Sequence, residues 1–118
     1  MNEHHKKLIL EFADSIIAQN LAINEHDPEA GNAFAKRYIE ASKQLLQSGE
    51  PGIEALSSLL KDQRIEVRAM TASCLLPYRK EQALLVLREA AKCKGITGLG
   101  ASMTLKRWEA GDAGWHNT

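Results

Sequence analysis

Glu54-Ala55-Leu56 followed by Leu59, and Gln82-Ala83-Leu84 followed by Leu87, repeat one apolar pattern at an offset of 28 residues. Apolar residues three apart share one side of a helix, so each copy predicts a short amphipathic helix. A segment rich in small side chains follows each copy: Ala69, Ala72 and Ser73 after the first, Ala101 and Ser102 after the second. Small side chains let neighbouring helices approach closely, which predicts two helical hairpins over residues 51–110. Two such hairpins in series form a fragment of an α-solenoid. An irregular helical bundle is the competing arrangement of the same elements.

Outward from these copies the chain stays helical. Lys61-Asp62-Gln63 turns it, Val67, Met70, Thr71, Cys74 and Leu75 form a further stripe, and Pro77 ends that helix. The next helix runs from Glu81 to Ala91. Gly95, Gly98 and Gly100 predict a break, with the last helix from Leu99 to Trp108 before Gly111. On the N-terminal side, Leu8, Ile9, Phe12, Ile16, Ile17 and Leu21 recur at helical spacing over Glu3 to Leu21. Asp27-Pro28-Glu29 supplies a cap, a proline at the first helical position and an acidic first turn. The helix it opens reaches about Leu46, with Ala30, Ala33, Phe34, Ile39, Ala41 and Leu45 as apolar positions and Tyr38 at the margin. Gly49 then closes the helix and Pro51 opens the next. The expectation is a single all-α domain of about six helices. Residues 1–48 are its N-terminal helices, 51–110 its two hairpins and 111–118 a flexible tail.

Composition agrees with that class. A chain of 118 residues and 13.0 kDa leaves little room for two cores. With 44% hydrophobic and 25% charged residues, 8 Gly and 3 Pro, it is neither collagen-like nor a proline-driven disordered chain. No apolar run approaches the roughly 20 residues of a membrane span, and Met1–Glu11 lacks the apolar core of a signal peptide. A cytoplasmic protein with reduced Cys74 and Cys93 is expected. Fifteen basic residues balance fifteen acidic ones, but unevenly: residues 1–60 carry −4 and residues 61–118 carry +4. Such a division creates either a charged partner surface or two solvated faces of opposite sign.

Two stretches carry a family resemblance: Glu66-Val67-Arg68-Ala69-Met70-Thr71-Ala72, and Glu81-Gln82-Ala83-Leu84-Leu85-Val86-Leu87 resuming at Met103-Thr104-Leu105-Lys106-Arg107-Trp108. The second ends in a threonine–leucine pair and then Trp108-Glu109-Ala110-Gly111. Over about residues 50–111 the chain resembles a family of small bacterial HEAT-like helical domains of unknown function. In the family pattern an aromatic residue often follows the arginine by one or two positions, where Ala69 and Met70 stand here. The resemblance implies a HEAT-like α-α superhelix fragment and supplies no catalytic residue to carry over. It also implies a sharper possibility, because small bacterial proteins of this sort can occur as antidotes beside toxins.

No constellation of residues recommends a reaction. His4, His5, His26 and His116 lack the spacing that sets two ligands on one helical face, and Cys74 and Cys93 belong to no CxxC pair. No base or orienting acid lies near Cys93 in sequence. Glu11/Asp14 and Glu25/Asp27 fall on a solvent face and at a helix start, which suits solvation and capping better than acid–base chemistry. The glycines of 95–100 follow no strand and precede no GKS/T, so they form no phosphate loop. No catalytic, metal or cofactor site is expected.

What remains is binding. Arg64, Arg68, Arg79, Lys80, Arg88, Lys92, Lys94, Lys106 and Arg107 could line one side of a curved surface, although Glu66, Glu81, Glu89 and Glu109 interrupt them. Arg68 has a structural alternative, capping or bridging the neighbouring helical pair. Trp108 is expected to close the final core, and Trp115 either to pack on its own domain or to enter a partner pocket. The leading expectation is a non-enzymatic protein-binding module, with Arg64, Arg68, Arg79, Lys80, Arg88, Lys106, Arg107 and Trp115 as possible contacts. In the antidote form the acidic N-terminal half covers a basic toxin. A nucleic-acid-associated domain using the basic half is the alternative. One unbroken positive face would favour nucleic acid, whereas dispersed charges beside an exposed apolar surface would favour a protein.

Overall fold

The computed structural model describes residues 1–111. Asn2 and Asp27 each open a helix with the side-chain oxygen that their residue types supply. Asn2 accepts a hydrogen bond from the His5 backbone N–H at 2.7 Å and starts α1, Glu3–Asn24. Asp27 accepts from Ala30 N–H at 3.1 Å and starts α2, Pro28–Gln47, with Pro28 at the first turn as expected. Between them the chain reverses through His26, whose φ is 57°. Asp27 N–H donates to Ala22 O and His26 N–H to Ile23 O, the double closure that ends a helix through a left-handed residue. Glycine is the usual occupant of that position; here a histidine bears the steric cost.

The remaining helices are α3, Glu50–Ser57, tightened into a 3-10 turn over Ser58–Lys61; α4, Ile65–Leu75; α5, Lys80–Ala91; and α6, Ile96–Glu109. The chain is all-helical, with six α-helices and no strand among the described residues. Two expectations are corrected. Gly98 and Gly100 do not break the chain but lie inside α6, which begins three residues earlier than its apolar pattern suggested. Leu21 and Ile39, assigned to the apolar faces of their helices, are each 56% exposed, and Ala33 is exposed as well.

The helices group into two compact units, Met1–Leu59 and the segment from Leu60 onward. In the first, α1, α2 and α3 all pack on one another. Phe12, Ile16, Leu45 and Leu56 are fully buried there, and the Phe12 ring meets Tyr38 edge-on with centroids 6.0 Å apart. In the second, α4, α5 and α6 likewise all pack on one another, with Val67, Leu75, Leu76 and Leu87 fully buried. Thr71 is also fully buried, and its hydroxyl donates to Val67 O one turn back at 2.7 Å.

A shared device joins the second and third helices of each unit. Gly49 precedes α3 at φ 78° and Gly95 precedes α6 at φ 87°. Three residues on stand Gly52 and Gly98, both buried. A Cβ on Gly52 would lie 1.8 Å from Leu45 O, and one on Gly98 1.8 Å from Cys93 O. Each third helix therefore crosses the end of the second at a distance only glycine permits. The spacing of this recurrence, from Gly49 to Gly95, is 46 residues, whereas the 28-residue echo pairs α3 with α5.

Gly98→Ala is expected to lower the unfolding free energy by at least about 2 kcal/mol, because the obstructing atom is backbone. Gly100→Ala, which would meet nothing within 4 Å, should raise it by up to about 1 kcal/mol. His26→Gly should also stabilise, by up to about 1 kcal/mol. Urea unfolding followed by circular dichroism checks all three.

Candidate functional site

Asp62-Gln63-Arg64 turns the chain into α4, and the turn is built from charge. Asp62 Oδ1 accepts from both the Arg64 backbone N–H and Arg64 Nε at 2.9 Å, while Oδ2 accepts from Nη2 at 3.1 Å. These bonds from Arg64 hold the Asp62 carboxyl below its ordinary value of 3.8, against the opposing effect of partial burial. Arg68, one turn into α4, reaches back and across. Its Nη1 donates to Asp62 O at 2.8 Å and Gln63 O at 3.2 Å, and its Nη2 to Glu89 Oε1 on α5 at 2.8 Å. Arg68 thus bridges the start of α4 to α5, with its side chain only 22% exposed.

The other basic residues are spread over the second unit. Arg79 is half-buried before α5 and donates to Tyr78 O. Lys80 is the exposed first residue of α5. Glu81, Arg88 and Lys92 follow at spacings of seven and four, so acid and bases share one side of that helix. Lys92 and Lys94 lead into α6, and Lys106 and Arg107 occupy its last turn. The structure therefore interleaves the basic residues with Asp62, Glu81 and Glu89 and commits Arg64 and Arg68 to local partners. Trp115, like His116, lies outside the described residues.

A surface that sequence reasoning missed lies on α6. Gly98, Ala101, Leu105 and Trp108 recur at i, i+3, i+7 and i+10 and are buried or half-buried. On the opposite side, Ile96, Leu99 and Met103 recur at i, i+3 and i+7 and are 55%, 63% and 54% exposed. Arg107 continues that row. Gly100 completes the set i, i+3, i+4, i+7, the four positions that outline a hole on a helix surface. With no side chain there, and nothing beyond the helix's own backbone within 4 Å of a would-be Cβ, that position is open. The spacing was present in the sequence, but starting the helix at Leu99 removed Ile96 from the pattern.

Little else suggests chemistry. Among the described residues no group of three or more His, Cys, Asp or Glu is placed to hold a metal ion. Nor is any helix there long and apolar enough to cross a membrane. Cys93 is exposed and Cys74 half-buried. An open groove of about 320 Å³ runs between α1 and α2 over Leu8 and Ala41, walled by Glu11, Lys36, Arg37 and Glu40. Its walls carry both signs, and the Arg37 guanidinium lies over the Phe34 ring, 5.5 Å from the centroid. The groove brings together no nucleophile and base.

Arg68→Met is expected to destabilise the protein by about 1–3 kcal/mol through loss of its partly buried hydrogen bonds. Glu89→Gln, which alters only the more exposed end, should cost less than about 1 kcal/mol. Because the Asp62 pKa is depressed in the folded state, its ion pair stabilises above the unfolded value and loses that effect as pH falls through the lower folded one. Asp62→Asn should therefore be less stable than the parent near pH 7, with the difference closing as the pH falls below the ordinary carboxylate value of 3.8 and through the lower folded one. Denaturant midpoints measured across pH test this.

The chain matches no protein-family model, and no curated protein sequence matches it. It is similar in structure to the protein RPA1889 from Rhodopseudomonas palustris CGA009, with a TM-score of 0.84 over 95% of this chain and 96% of that one. The two share 21% sequence identity, and the likeness shows the all-helical fold.

Proposed function

We propose that this chain is a non-enzymatic protein–protein interaction module built on HEAT-like helical pairs. The observation that carries this reading is the outward row of Ile96, Leu99 and Met103 on α6. Scattered exposed apolar side chains are ordinary, but three in register around an open glycine present apolar area to a partner. The interleaving of basic residues with Asp62, Glu81 and Glu89 favours this reading over a nucleic-acid surface, which works through many phosphate contacts at once. A stoichiometric antidote is the narrower form of the same reading. Toxicity of the captured partner, expressed alone, would be its mark.

The test is affinity capture of the tagged full chain from a lysate of its own cell, with and without nuclease, beside the Leu99→Gln variant. A protein retained in stoichiometric amount after nuclease and lost with Leu99→Gln is the expected result. Recovery that disappears with nuclease, together with direct binding that weakens steeply with salt, would replace the proposal with the nucleic-acid reading.

A further inference from the structure

We draw no further inference here: the strongest candidate, the outward row of Ile96, Leu99 and Met103 on α6, belongs to the site already described, and nothing in the structure shows what covers it.

Discussion

The approach of α6 to the end of α5 is the constraint on which the second unit turns. At Gly98 the two backbones come so close that a single added carbon would stand 1.8 Å from the Cys93 carbonyl oxygen. Backbone cannot move aside as a long side chain can, so this contact fixes the rotation of α6 about its own axis. Once Gly98 faces inward, Ala101, Leu105 and Trp108 follow it by helical geometry. Ile96, Leu99 and Met103 are then turned outward whatever their hydrophobicity. The same steric demand, placed at Gly52 against Leu45 O, sets α3 on α2 in the first unit.

Charge supports this frame before it is available to any partner. Arg68 satisfies two carbonyls at the turn into α4 and the Glu89 carboxylate on α5, linking the start of one helix to the flank of the next. Planar guanidinium geometry suits this task, since several donors leave one group in fixed directions. Arg64 is likewise held by Asp62. The positive excess of the C-terminal half is therefore not one field: part is neutralised locally and part shares the α5 surface with Glu81. The functional reading centres on α6 because its row of Ile96, Leu99 and Met103 is exposed.

Much of the fold was legible from local chemistry. Asp27-Pro28 marks a helix start because an acceptor side chain and a preset φ act within four residues. Pro77 marks an end for the same reason of range, and six helices follow from apolar spacing and short connections. Glycine was less legible. Gly95 ends a segment and Gly98 lies inside a helix, yet both are one letter in the sequence. What separates them is whether a left-handed turn or a neighbouring backbone requires the missing Cβ. The two arginines show the same limit: a bridging role for Arg68 was one of two open readings, and only the position of Glu89 on a packed helix selects it.

By itself, then, the sequence determined what short-range physics can specify: an all-helical chain, its caps, most helix boundaries, and a charge division between its halves. Tertiary structure decided which face of α6 is inside. Ala101 and Trp108 were already expected to face a neighbour, but Ile96, Leu99 and Met103 are as apolar as Leu105 and Trp108, so hydrophobicity alone does not choose between the two faces. Close packing at Gly98 chooses, because it rewards small side chains where helices nearly touch, and no single-helix pattern encodes how near the neighbouring backbone will come.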